Sequence, residues 1–267
     1  IECSIRGKLR TREFEITNPV AVGDNVIFEK DPKGESGVIT EVLERRNYIL
    51  RKASNLSKQS QIIAANIDQA ILMVTITLPE TALELINKTD LYEGEDIAKM
   101  EQVEAAYSGI GYECIRLSLK EKSNINTVIE RLKGKISLVS GNSGVGKTTL
   151  LNILNPTLNL KTEEISGYHK QGKHVTTFPE MHKMPFGGFV IDTPGIRGFG
   201  IVDMERNEIY HFFREIFRVS EYCRYHNCLH LDEPGCAVIE AVKSGEIEFS
   251  RYRSYLNIME GDDRKYR

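Results

Sequence analysis

The chain has 267 residues, long for one core and suited to two or three domains. With 35 Lys+Arg against 38 Asp+Glu the net charge is −3, so any nucleic-acid contact must come from a local patch rather than a generally basic body. No run of 18 apolar residues and no charged-then-apolar leader occurs, so neither a membrane span nor a secretory signal is expected and a cytoplasmic location is the default. The first residue is Ile1 rather than Met, which places the true N-terminus upstream of the sequence as an expectation.

Residues 1–66 read as short alternating strands, "CSIRGKLR", "NVIFEK", "GVITEVLE" and "YILRKA", broken by "NPVAVGD" and "KDPKGESG". Pro, Gly and Asp punctuation at that spacing predicts a small barrel. The segment carries 11 Lys+Arg against 9 Asp+Glu, with Arg45, Arg46, Arg51, Lys52 and Lys58 close together. A solvated strand face and a nucleic-acid surface both explain such a group.

From Ile67 the texture changes to apolar runs alternating with helical patterns. "AILMVTI", "LELIN", "ECIRLSL" and "KISLVSG" read as strands, and "GEDIAKMEQVEAAYSGIG" and "KTTLLNILNP" as helices, the second closed by Pro156. That alternation predicts a parallel sheet covered by helices on both faces. About six residues separate the strand ending near Thr75 from the one beginning near Ala82, too few for a parallel crossover, which needs about 10 to 12. A skipped helical segment between Pro79 and Ala82 is therefore expected. Beyond Ile201 no strand is convincing. "MERNEIYHFFREIFRVSEY", "CAVIEAVKSGEI" and "FSRYRSYLNIMEG" read as helices around a Cys/His cluster.

The segment Gly141, Asn142, Ser143, Gly144, Val145, Gly146, Lys147, Thr148, Thr149 satisfies GxxxxGK(S/T) between an apolar strand and a helix. Glycines there let successive backbone N–H groups turn inward around phosphates, and the helix N-terminus adds its positive end. Lys147 is placed to bridge β- and γ-phosphates and Thr148 to ligate Mg²⁺. Downstream, "GGFVIDTPGI" puts Asp192 at a strand end, where a P-loop enzyme keeps the acid that reaches Mg²⁺, with Gly195 as a γ-phosphate sensor.

"INKTDL" supplies Asn87, Lys88 and Asp90. A carboxylate accepts from the N1 and N2 hydrogens of guanine, and adenine offers no such pair, so Asp90 favours GTP over ATP. That disfavours an ATP-dependent kinase. Lys88 can lay its stem along the base and Asn87 can tie the two loops together. Guanine motif, phosphate loop and Asp192 follow in that order, the reverse of the usual order for the first two. A sheet cut in one loop and rejoined at another, a circular permutation, produces it. "GYHKQGKHVTT" lies where a first switch loop belongs, with Thr176 or Thr177 as an Mg²⁺ ligand and His174 as a residue that could orient water. Where a Ras-type enzyme carries its water-orienting Gln, this chain has Ile196, so slow intrinsic hydrolysis is expected.

Cys223, Cys228, His230 and Cys236 fall within fourteen residues and offer four ligands, the number a closed structural Zn²⁺ site requires. His226 is the rival to His230. Cys3 and Cys114 are expected to be ordinary buried thiols.

Taken in order, "GDNVIFE", "RRNYILRKAS", "QIIAANIDQAILMV", "INKTDLY", "SGNSGVGKTTLLN", "GKHVTT", "IDTPGIRGFG" and the Cys/His cluster resemble the bacterial ribosome small-subunit-dependent GTPase A family over essentially the whole chain. The resemblance implies an OB-fold RNA-binding barrel at 1–66, a circularly permuted α/β P-loop GTPase domain at 67–202 and a helical zinc-binding domain at 203–267. It also implies a monomer, with no membrane partner, that binds GTP or GDP and the small ribosomal subunit with its rRNA. On that subunit it would hydrolyse GTP when stimulated and assist late maturation. By the same resemblance His174 matches a histidine proposed to act in hydrolysis, and Ser118 falls in the guanine-binding loop near "RLSLK". The family usually reads GRHTT where this chain has Lys173 and Val175, and Thr176 is the threonine assigned to Mg²⁺.

Overall fold

The computed structural model describes residues 1–7, 18–32, 36–52, 60–75, 85–161, 179–193 and 205–260. These form two compact units, one from residues 1–104 with 113–199 and one from residues 105–112 with 200–267.

The first unit begins with three strands, β1 (Glu2–Ile5), β2 (Val26–Lys30) and β3 (Ser36–Val42), ordered β1-β3-β2 with β1 parallel and β2 antiparallel to β3. A separate antiparallel pair joins β4 (Tyr48–Lys52) to β5 (Ser60–Ala65). The reading of the sequence missed β5, because "QIIAA" runs without a turn signal into the next apolar stretch. The Asn18 side chain lies against β5, donating to Ile62 O at 2.8 Å and accepting from Ile62 N at 3.0 Å.

The main sheet has six strands in the order β10-β11-β9-β6-β7-β8. They are β6 (Gln69–Val74), β7 (Leu85–Ile86), β8 (Ile115–Arg116), β9 (Ile136–Gly141), β10 (Glu180–Lys183) and β11 (Phe189–Asp192). All neighbours are parallel except edge strand β10, which returns antiparallel to β11. β9 therefore lies between strands that precede it in the chain and strands that follow it. The crossovers are helical: α1 (Glu95–Gly109) joins β7 to β8, and α2 (Ile125–Leu132) joins β8 to β9. α3 (Lys147–Leu154) leaves the end of β9. The described part of strand β7 begins at Leu85, and residues 76–84, where its start and a skipped segment are expected, lie outside the described residues.

Alternation along β9 and β11 sends side chains to two different cores. Val139 and Val190 pack with Val128, Leu132, Leu150, Leu151 and Leu154 from α2 and α3. Leu138 and Ile191 pack instead on Ala64 of β5, with Val22 and Ile49 alongside. Helices on both faces were expected, but among the described residues this second face of β9 and β11 meets strand residues. Arg46 and Asp68 fix the junction: Arg46 Nη2 donates to Asp68 Oδ1 at 2.6 Å, and Asp68 Oδ2 accepts from Ile136 N at 2.8 Å.

The second unit is helical, with α4 (Arg214–Ser220), α5 (Ala237–Ser244) and α6 (Phe249–Met259), and its described residues contain no strand. The single helix expected over "MERNEIYHFFREIFRVSEY" is two pieces, a 3-10 turn at Ile209–Phe212 and then α4. The break is at Phe213, whose extended backbone (φ −105°, ψ 94°) turns its ring inward to meet Tyr255 edge-on at 5.5 Å. Beneath it a buried ion pair joins Arg251 Nε to Glu215 Oε1 at 2.7 Å. The Arg251 guanidinium lies 4.9 Å from the ring centres of both Tyr107 and Phe213. No helix among the described residues is long and apolar enough to cross a membrane.

Candidate functional site

Four strand ends on the main sheet, those of β7, β8, β9 and β11, deliver the described residues singled out in the sequence. β9 ends at Gly141 and α3 begins at Lys147, so residues 142–146 form the loop between a central strand and a helix N-terminus. Two glycines here are needed for their lack of a side chain. At Gly141 (φ +155°) a Cβ would stand 2.3 Å from Met73 O on neighbouring β6, and at Gly146 (φ +106°) one would stand 2.7 Å from Asn87 Nδ2. The loop thus lies directly against β6 and the guanine-type motif.

Lys147 is buried and folded over its own loop, donating to Gly141 O at 2.6 Å and Asn142 O at 2.9 Å. Burial pushes its pKa down, partly offset by the Asp192 carboxylate. A buried ammonium beside a cluster of N–H donors is complementary to an anion. Asp192, the last residue of β11, is also buried, and next to it the Thr193 hydroxyl donates to Val139 O at 3.0 Å. Thr148 is partly buried and Thr149 exposed in the first turn of α3.

Asn87 follows β7 and is buried between the loops. Its Nδ2 donates to Val145 O at 2.8 Å, and its Oδ1 accepts from Leu119 N at 3.3 Å. The Tyr92 hydroxyl, which the sequence reading missed, donates to Asn87 O at 2.6 Å. Lys88 adopts φ +63°, and burial lowers its pKa against the opposing pull of Asp90. Ser118 is brought beside Asp90, donating its hydroxyl to Asp90 Oδ1 at 2.6 Å. Asn87, Lys88, Asp90, Ser118, the phosphate-type loop and Asp192 therefore gather on one sheet. Gly195, Ile196, His174, Thr176 and Thr177 lie outside the described residues.

The second unit holds the Cys/His cluster. The donor atoms of Cys223, Cys228, His230 and Cys236 all lie within 4.8 Å of one another. His230 Nδ1 is 3.6 Å from Cys223 Sγ and 3.5 Å from Cys236 Sγ, and those two sulfurs are 3.9 Å apart. A tetrahedron with Zn–S of about 2.3 Å and Zn–N of about 2.1 Å has S···S edges of about 3.8 Å and S···N edges of about 3.6 Å. The distances among Cys223, His230 and Cys236 match those edges, and the three-Cys, one-His donor set suits a tetrahedral divalent metal such as Zn²⁺. Burial pushes the Cys228 thiol up to about 12 and the His230 imidazole down, shifts that hold the thiol protonated and the ring neutral. A divalent cation favours the thiolate and uses the neutral ring.

The surrounding loop is tied down by groups that no metal motif announces. The Glu233 carboxylate accepts from the N–H groups of Leu229 at 2.6 Å and Leu231 at 2.9 Å. From α6 the Tyr252 hydroxyl donates to His230 O and the Tyr255 hydroxyl to Leu229 O, both at 2.6 Å. His226 is exposed and outside the cluster. Cys3 and Cys114, expected to be buried, are both only half-buried.

Of the basic residues considered for a nucleic-acid surface, Arg45 forms a two-pronged pair with Asp24 at 2.6 and 2.7 Å, its side chain 19% exposed. Arg46 is engaged with Asp68. Arg45 is thus tied within the fold, while the Arg46 side chain remains 59% exposed beside its partner. Lys58 and the side chains of Arg51 and Lys52 lie outside the described residues.

A model of the RsgA GTPase family matches residues 81–202. The "Small ribosomal subunit biogenesis GTPase RsgA" of Christiangramia forsetii is 46% identical over 286 aligned positions, covering all of this chain and 91% of that protein. A protein of the same name from Phocaeicola vulgatus is 47% identical, covering all of this chain and 92% of its own. These alignments are longer than the chain, so the relatives have residues with no counterpart here. Among solved structures, YjeQ from Thermotoga maritima has a TM-score of 0.74 at 37% identity, over 97% of this chain and 88% of that one. YloQ, described as a circularly permuted GTPase, has a TM-score of 0.69 at 29% identity, over 99% of this chain and 87% of that one. With phosphate-type loop, guanine-type motif and acidic strand end gathered in permuted order, and identity of this level along its full length, the chain belongs to the RsgA GTPase family.

Proposed function

We propose that this chain is a GTPase that binds the small ribosomal subunit, assists its late maturation, and hydrolyses GTP to GDP and phosphate when the subunit stimulates it. The observation that carries the reading is the gathering of Asn87, Asp90 and Ser118, the 141–149 loop and Asp192 at the ends of β7, β8, β9 and β11 of one sheet, in a chain aligned throughout with proteins named for small-subunit biogenesis.

In this reading Asp90 accepts from the guanine base while Lys88 flanks it and Asn87 holds the base-reading and phosphate loops together. The backbone amides from Gly141 to Thr149 cradle the phosphates. Lys147 gives up its two carbonyl partners for β- and γ-phosphate oxygens and stabilises the charge that grows there as water attacks the γ-phosphorus in line. Thr148, Asp192 and, in the switch segment, Thr176 would hold Mg²⁺, which supplies charge neutralisation between the β- and γ-phosphates when bound. His174 is the residue assigned to orienting water, and Gly195 to sensing the γ-phosphate. Cys223, Cys228, His230 and Cys236 would hold one Zn²⁺ in a structural role.

The domain reading that goes with this is an OB-fold RNA-binding barrel at 1–66, the permuted GTPase domain at 67–202 and a zinc-binding domain at 203–267. The protein would act as a cytoplasmic monomer on the subunit's rRNA. The test is GTP turnover with and without purified small subunits. Subunits are expected to raise the rate well above the slow intrinsic one that Ile196 implies, and an unchanged rate would overturn the reading.

A further inference from the structure

Asp90 has to present both carboxylate oxygens at once, because guanine offers two donors side by side, N1–H and N2–H. A carboxylate turns easily about its last torsion, so something must fix its plane. The bond from Ser118 does so only if the Ser118 hydroxyl hydrogen points at Asp90 and nowhere else.

Two hydroxyls with no place in the nucleotide motifs supply that condition. Ser123 Oγ accepts from Ser118 N at 2.9 Å while Ser123 N donates to Ser118 O at 3.0 Å, so the Ser118 backbone is gripped on both sides. Ser118 Oγ in turn accepts from Glu121 N at 3.1 Å, which occupies a lone pair and leaves its hydrogen directed at Asp90 Oδ1. On the opposite side, Thr89 sends both its N–H (3.2 Å) and its hydroxyl (3.0 Å) to Leu117 O, the carbonyl immediately before Ser118. Asn87 closes the register through Leu119 N. The Leu117–Leu119 segment thus lies along the Asn87–Asp90 motif as a splint, with a bond at each of residues 117, 118 and 119.

We propose that Ser123 and Thr89 are positioning residues for guanine selection: they hold Ser118 so that Asp90 presents its two oxygens in the plane of the base. This rests on the reading of Asp90 as the guanine acceptor. Both side chains bond to the backbone of the Leu117–Ser118 segment rather than to Asp90 itself. Their effect is therefore on the two-pronged contact rather than on binding in general. Inosine nucleotides separate the two, since hypoxanthine keeps N1–H and O6 but lacks the 2-amino group. Loss of alignment weakens GDP more than IDP, whereas simple loosening of the loop weakens both alike.

The experiment measures GDP and IDP affinity for the full chain and for Ser123→Ala, Thr89→Val, Ser123→Thr and Asp90→Asn, with melting temperature recorded for each. Thr89→Val is near-isosteric and keeps the backbone bond to Leu117 O, so it supports the test independently of any folding defect in the Ser123 variant. Ser123→Ala and Thr89→Val are expected to lower the GDP-to-IDP preference about three- to tenfold, the scale of one hydrogen bond, with Ser123→Thr restoring it. Equal weakening of GDP and IDP, or no change in either, overturns the proposal. Asp90→Asn with XDP added separates the two levels. A switch of preference from GDP towards XDP upholds Asp90 as the guanine reader, so a negative result with Ser123 and Thr89 then falls on the positioning proposal alone. No switch removes the guanine reading itself, and the proposal with it.

Discussion

The nucleotide-type site and the Cys/His cluster are built in opposite ways. The first draws on strand ends from Asn87 to Asp192, held by backbone hydrogen bonds of a sheet whose neighbours are already paired. The second draws on fourteen consecutive residues whose donor atoms converge in a small helical unit. Sheet pairing positions the first without a ligand. In the second, two thiols and an imidazole are buried close together, a donor set that a divalent cation would tie into one centre. One region is assembled by sheet pairing between distant segments, whereas the other collects its donor groups from one short stretch of chain.

The largest effect is expected from breaking the second region. Structural zinc sites contribute about 10 to 16 kcal/mol at neutral pH, more than a small unit's whole stability. Cys228→Ala, or treatment with a chelator, is therefore expected to abolish hydrogen-exchange protection across residues 205–260 while GDP affinity holds within about twofold. Equal loss of GDP affinity would show that the two regions are not independently organised.

A smaller effect is expected from the tie in the first region. Asn87→Ala leaves Val145 O and Leu119 N buried without the partner they have now, at a cost of about 2 kcal/mol. The melting temperature of the first unit should fall and GDP binding weaken at least tenfold, with zinc content unchanged. An unaltered GDP affinity would mean that the phosphate loop keeps its place without the guanine-type motif.

The smallest is a pH effect at Asp68, whose carboxyl is held below the usual range by the Ile136 N–H and then by Arg46. A depressed folded-state pKa means that the unfolded chain binds more protons in the acid range. The stabilisation is thus complete above the ordinary carboxylate value of about 4 and disappears as pH falls through the lower folded value. Asp68→Asn should be slightly less stable than the parent at pH 7, the gap in urea midpoints narrowing as pH falls below about 4. A gap independent of pH would rule out this carboxylate as its source.

Local chemistry decided what was legible beforehand. Gly141, Gly146 and Lys147 stand in a fixed short spacing because a backbone loop around phosphates admits few alternatives, and the strand and helix on either side showed in their apolar periods. The Cys/His spacing was readable for the same reason. His230 was read as the fourth member with His226 as its rival, and the structure brings His230, at φ +55°, to the three sulfurs. The helix read over residues 204–222 failed because its periodicity does not register Phe213 leaving helical geometry to reach Tyr255.

The sequence by itself determined which short motifs exist, their permuted order, and the alternation of strand and helix, all of which depend on residues close together in the chain. Tertiary structure alone decided the rest. It placed Ser118 on Asp90 across 28 residues and Asn87 on Val145 across 58. It covered one face of β9 and β11 with Ala64 of an N-terminal strand. It also gave Arg45 to Asp24 within the fold. Such pairings are set by sheet register and side-chain packing between distant segments, and no period or spacing along the chain encodes them.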